Sequence, residues 1–152
     1  MPVLRLTYFA AASARDNLNS NIVTRSSAPT QFPTKISGSG GMGPGILRLS
    51  WTPVSPLDYN GPGFAHIVTF CPIPQTVQAA CFDKCAEKET RVQLSPTSTF
   101  YDIEGKVPYT KYAYRISTKN DKGPGPSTQC KYDFSGEAKP KGAPANLRNV
   151  SV

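Results

Sequence analysis

The sequence predicts an all-β fold, a sandwich of seven short strands, and three observations predict it. Fifteen prolines and twelve glycines in 152 residues require many short elements joined by turns rather than a helical bundle. No stretch of eleven or more residues keeps the 3.6-residue period of an amphipathic helix. Turn signals recur between runs that alternate apolar and polar, at the spacing of a sandwich. The length suits one domain with some linker.

The elements follow in chain order. A first strand lies within "TQFPTKIS", 30–37, and "GSGGMGPG", 38–45, is a flexible connection to the second. That second strand, "ILRLSWTPV" at 46–54, sends Leu47, Leu49 and Trp51 to one face and Arg48, Ser50 and Thr52 to the other, and Pro53 ends its ladder. After the glycine turn "NGPGF", 60–64, the third strand places His66, Val68 and Phe70 inward and Cys71 on the opposite face. Residues 89–94 and 99–103 form two shorter strands. "KYAYRISTK", 111–119, is the sixth: Tyr112, Tyr114, Ile116 and Thr118 fall on one side of a two-residue period, and Lys111, Ala113, Arg115, Ser117 and Lys119 on the other. It stops on an Asn-Asp-Lys-Gly-Pro-Gly-Pro turn, and "TQCKYDF", 128–134, is the seventh. Trp51, Tyr112, Leu49, Val68 and Ile116 are the expected core.

"LSWTPV", "NGPGF" and "VPYTKYAYRISTKNDKGPGPS", in this order and spacing, resemble a fibronectin type III domain, an immunoglobulin-like seven-stranded sandwich. The resemblance is closest to domains of neural cell-adhesion molecules of the neurofascin and contactin kind, through "PLDYNGPGF", "NDKGPGP", "SGE" and "APANL". It implies the ectodomain of a cell-surface adhesion receptor, outside the cell. The partners it implies are other cell-surface or matrix proteins. It also implies that Tyr112 holds the tyrosine-corner position, its hydroxyl bonding back to the backbone at a corner spanned by Val107 and Pro108. The sequence departs from the family at His66, where an aromatic residue is usual, in having no Trp before "RVQL", and in "CPIPQTVQAACFDKC", 71–85, a local insertion.

The chain divides into a domain at 28–134 flanked by 1–27, a fragment of a preceding domain or linker, and 135–152, a linker and the start of a following domain. "TYFAAASARDNLNSN" overlays "KYAYRISTKNDKGPG" weakly at an offset near the length of one such module. Residues 1–14 also read as a short signal peptide with an Ala-Ser-Ala site. Both flanks are expected to be loosely held, since a partial module buries too little apolar surface to offset the entropy of ordering it.

Four cysteines allow three full pairings, and spacing alone does not choose among them. A short bridge from Cys71 to Cys81 or Cys85 would staple the insertion and suits an oxidising compartment, leaving Cys130 free and buried. A four-thiolate zinc site is the rival, but only Cys81 and Cys85 have the close spacing that zinc pairs use. No cofactor is expected, and no small-molecule substrate. The single histidine, His66, lies on an inward face, and no phosphate-binding glycine loop precedes a helix.

Charge is the remaining lead. Seventeen Lys and Arg against ten Asp and Glu give a net charge of +7, which favours acidic partners. Lys111, Arg115 and Lys119 point outward, roughly 13 Å apart at ~3.3 Å per residue, and Lys131 on the neighbouring strand joins them. The stripe suits a sulfated glycan. Nucleic acid is not expected, because no stacking aromatics interleave with these cations on the outer face. Asn149-Val150-Ser151 is a candidate glycosylation acceptor. The competing class is a structural module of an intracellular cytoskeletal array, which free thiols would favour.

Overall fold

The computed structural model describes residues 26–76 and 81–140. Its strands are β1 (Thr34–Ser39), β2 (Ile46–Thr52), β3 (Ala65–Pro72), β4 (Thr90–Leu94), β5 (Phe100–Glu104), β6 (Lys111–Asn120), β7 (Gly123–Ser127) and β8 (Lys131–Phe134), with 3-10 turns at Pro56–Asp58 and Phe82–Lys84. One sheet has the order β1-β2-β5 and the other β4-β3-β6, and β7 and β8 share the far side of β6. The described pairings within named strands are antiparallel. The expected all-β sandwich is the fold.

Alternation along β2 and β6 explains the core. Leu47, Leu49 and Trp51 from one sheet meet Val68, Tyr112, Tyr114 and Ile116 from the other, with Ile103 completing a continuous buried cluster. Every one of the five expected core residues lies in it. Arg48, on the outer side of β2, instead forms a bidentate pair with Asp102 of β5, both contacts 2.7 Å. It also stacks over Phe100.

Two stretches depart from the sequence expectation. The turn after β6 was expected to run through Pro126, yet it closes in two residues. Asn120 pairs with Gly123, whose φ of 144° suits glycine. β7 contains Pro124 and Pro126 and still pairs with β6, because it is an edge strand whose proline nitrogens owe no ladder hydrogen bond. An eighth strand thus forms where a turn was expected, and the expected seventh, 128–134, is shortened to β8: β7 covers Ser117–Asn120, β8 covers Lys111–Tyr114, and Thr128 bridges the gap by accepting the Ile116 N–H on its hydroxyl and donating its own N–H to the Ile116 carbonyl. The 38–45 connection, expected to be flexible, is pinned at its end: Gly45 donates to Gly136 and accepts from Gly105.

The two ends of the described domain are held at opposite ends of β6. At one, Ser27 donates to Asn60 and accepts from the Asn120 side chain. At the other, Ser135 donates to Thr110, and Gly136 bonds Ile46, Gly45 and Tyr109. A ten-residue strand at ~3.3 Å per residue places these poles about 30 Å apart. Of the flanks assigned to neighbouring domains, 1–27 and 135–152, the described parts are not loosely held, since Ser27, Ser135 and Gly136 make these bonds; residues 1–25 and 141–152, and with them residues 1–14 and Asn149, lie outside the described residues.

Candidate interaction surfaces

The chain between β3 and β4 folds back over the outer face of the larger sheet. Ile73, at 4% exposure, packs with Cys71 and Ala113 in a second apolar cluster that also draws in Cys81, Phe82, Cys85 and Cys130. Ile73 N–H bonds the Lys111 carbonyl and Ala86 N–H bonds that of Pro72, so the excursion leaves and returns at one place. Two disulfides hold it. Cys71 joins Cys85 within the excursion, with Cα atoms 5.6 Å apart, and Cys81 joins Cys130 between β7 and β8, at 6.1 Å. Cys130, expected free, is thus bridged. It lies on the same outer side as Tyr132, within reach of a cysteine carried across the face.

This cap rearranges the expected basic stripe. Lys111 is not a solvated outer cation: it is buried, its ammonium 4.4 Å from the Tyr132 ring centroid and within hydrogen-bonding distance of the Gln75 carbonyl. The physical reason is that the excursion covers the β6 face at its first turn of alternation. Lys131 is also displaced from the stripe. It pairs with Tyr114, an inward-facing position, and its ammonium reaches across the sandwich edge to the Ile36 carbonyl of β1 at 2.9 Å. Arg115 and Lys119 keep the outer face, and Arg115 stacks 4.6 Å above the Phe82 ring of the cap. The stack is a cation–π contact, and Arg and aromatic residues are both enriched in protein interfaces. Apart from Ala113, a small residue amid outward cations, nothing local in the sequence signals that a cap sits there.

A second surface was not foreseen. A cleft of about 450 Å³ opens between the free edges β4 and β5, floored by Phe70, Tyr101 and Tyr112 and rimmed by Glu87, Lys88 and Glu104. Phe70 and Tyr112 read as inward in the alternation, and they are reached because β4 and β5 are edges of different sheets. Burial, helped by the Glu87 charge, raises the Tyr112 pKa. The Tyr112 ring is edge-on to Phe70, and its hydroxyl lies against Gly105, where any β-carbon would collide with it. The backbone hydrogen bond expected of Tyr112 is not found among the described residues. The hydroxyl that is anchored belongs to Tyr114, which donates to Asp133 at 2.5 Å. Burial and that carboxylate push the Tyr114 pKa far above the usual phenol range.

His66 is wholly buried and both ring nitrogens are engaged. Nε2 accepts the Val54 N–H at 3.4 Å, so Nδ1 carries the proton and faces the Ser95 carbonyl at 3.3 Å. Burial lowers its pKa. A neutral imidazole held between Phe64 and Trp51 is a structural group with no free nitrogen to act as a base. All four cysteine sulfurs are bonded to one another, which removes the thiolates a zinc site needs. No helix among the described residues is long and apolar enough to cross a membrane.

Comparison with known proteins agrees on the architecture. No family model matches the chain. It is similar to contactin-2 of Mus musculus, 32% identical over 130 residues, covering 85% of this chain and 12% of that protein. It is also similar to contactin-5 of Rattus norvegicus, 32% identical over 132 residues, covering 86% and 11%. The chain thus spans about an eighth or less of the length of these relatives. Among solved structures, the FN1-FN3 domains of chicken CNTN1 superpose with a TM-score of 0.63 at 25% identity, over 77% of this chain and 38% of that one. The fibronectin III domain of human contactin 1 gives 0.57 at 17%, over 80% and 91%, a likeness of fold.

Proposed function

The chain carries a fibronectin type III domain of the contactin, neural-adhesion kind, and from that premise we propose that it serves a multidomain cell-surface adhesion receptor as a non-catalytic spacer and protein-binding surface. The observation that supports the spacer role is the placement of the two ends of the described domain, Ser27 and Ser135–Gly136, hydrogen-bonded at opposite poles of β6. A module so built advances a string of domains by its own length. The module is extracellular, in keeping with its relatives and with two disulfides, which persist in oxidising compartments and are rare in the cytosol. That weighs against an intracellular cytoskeletal array.

For binding, the cap with Arg115 on Phe82 is the better-supported surface, since two disulfides tether it and it pairs a planar cation with an aromatic ring. A sulfated-glycan partner loses its main argument, because Lys111 is buried and Lys131 faces another edge. The test is binding of the oxidised chain, multimerised, to an array of cell-surface and matrix ectodomains. Saturable binding that resists free heparin and falls at least tenfold in Arg115→Glu is expected. Retention on heparin at salt above that required by a net charge of +7, with no ectodomain bound, would replace this reading with the glycan one.

A further inference from the structure

The two disulfides are interlocked in sequence: Cys81 lies inside the loop closed by Cys71 and Cys85, and is itself bonded to Cys130. Consider a pull on the two poles. From the carboxyl end, β8 peels from β6 as far as Cys130. There the covalent line of tension crosses to Cys81, runs back through the Phe82–Lys84 turn to Cys85, and crosses to Cys71 at the end of β3. From the amino end, the chain pays out through β1, β2 and β3 to the same Cys71. Strands β4, β5, β6 and β7 lie on closed loops and never enter the load path.

We infer that the module is a length-limited tether, whose extension under tension is capped by its sulfur bridges at roughly half that of the open chain. With both bridges intact the line of tension contains residues 26–71, 81–85 and 130–136, roughly 60 residues or ~200 Å at ~3.5 Å per residue. With both reduced it contains all of 26–136, roughly 110 residues or ~390 Å. The sequestered loops also stay short, which lowers the entropic cost of closing the sandwich again when tension is released. The spacer reading above supplies only the source of the tension; the capped length is a property of the covalent network and stands or falls without any binding partner.

Single-molecule force extension of the full 152-residue chain between end handles tests it. The difference between oxidised and reduced total extension is the quantity to measure, because it does not depend on where the handles join. Dithiothreitol added to an already extended molecule should release a further ~190 Å, each cystine taking two electrons and two protons as the reagent closes to its cyclic disulfide. Cys81→Ala with Cys130→Ala should lengthen the oxidised extension by ~140 Å, and Cys71→Ala with Cys85→Ala by no more than ~20 Å. The reduction arm uses the unmodified protein, so it stands even where a variant fails to fold. No lengthening on reduction, or equal lengthening in both pairs of variants, would overturn the inference.

Discussion

Opening the Cys81–Cys130 bridge should destabilise the folded domain more than any other conservative change at its surface. The sequence separation is 49 residues, and the chain-entropy relation for a loop of that size gives about 4 kcal/mol of stabilisation, against about 3 kcal/mol for the 14-residue separation of Cys71 and Cys85. The perturbation is Cys81→Ala with Cys130→Ala, leaving Cys71–Cys85 intact. Cys81 and Cys130 are only partly buried at the rim of the second cluster, so little cavity cost is added and the loop term dominates. Urea unfolding followed by Trp51 fluorescence measures it. At an m-value of ~2 kcal/mol/M the midpoint should fall by about 2 M, with m itself rising because the unfolded chain becomes more open. A midpoint within about 0.5 M of the parent's, at unchanged m, equivalent to about 1 kcal/mol or less, would show that this loop is not closed in the native protein.

Three further outcomes are expected. Trp51→Ala should cost roughly 3–5 kcal/mol, as a large core truncation does, readable as the loss of cooperative unfolding or a large fall in thermal midpoint. Tyr114→Phe should cost about 1.5–3 kcal/mol, since a hydrogen bond to a charged acceptor is lost, whereas Tyr112→Phe should be close to neutral, its hydroxyl having no such partner. The comparison of the two by denaturant midpoint reverses if Tyr112 carries the anchoring bond. His66 has a folded-state pKa below its unfolded value, so the unfolded chain binds the extra proton first as pH falls. The stability from keeping His66 neutral is therefore full above about pH 6.5 and falls by about 1.4 kcal/mol per pH unit below it, until the folded-state pKa is reached. A His66→Gln variant that keeps the same slope between pH 6.5 and 5 would show that another group is responsible.

The sandwich itself was legible because its signals are local. Leu47, Leu49 and Trp51 alternate with polar residues over one strand, and the inward set of β6 from Tyr112 to Thr118 is buried as its period requires. β7 was hidden by its prolines, which mark a turn unless the strand is known to be an edge. The cap was hidden for a deeper reason. Whether Lys111 faces water depends on where residues 73–76 and 81–86 lie, and that is decided by bridges between positions far apart in the chain. Alternation correctly put Lys111 and Ala113 on the outer side of the sheet, but it carries no information about what lies on top. The same holds for the cleft, whose inward rings are reached because edges of different sheets lie beside them.

The most direct test of the capped sandwich is the connectivity of its cystines in the native, unreduced chain. Trypsin separates Cys85 from Cys81 by cutting after Lys84, and leaves Cys71 with Cys81 in one peptide, 49–84. Peptides 49–84, 85–88 and 123–131 should therefore appear as one bridged assembly, and fragmentation between Cys71 and Cys81 should assign Cys71 to Cys85 and Cys81 to Cys130. Recovery of 85–88 joined to 123–131 alone, or of any free thiol, would contradict the account.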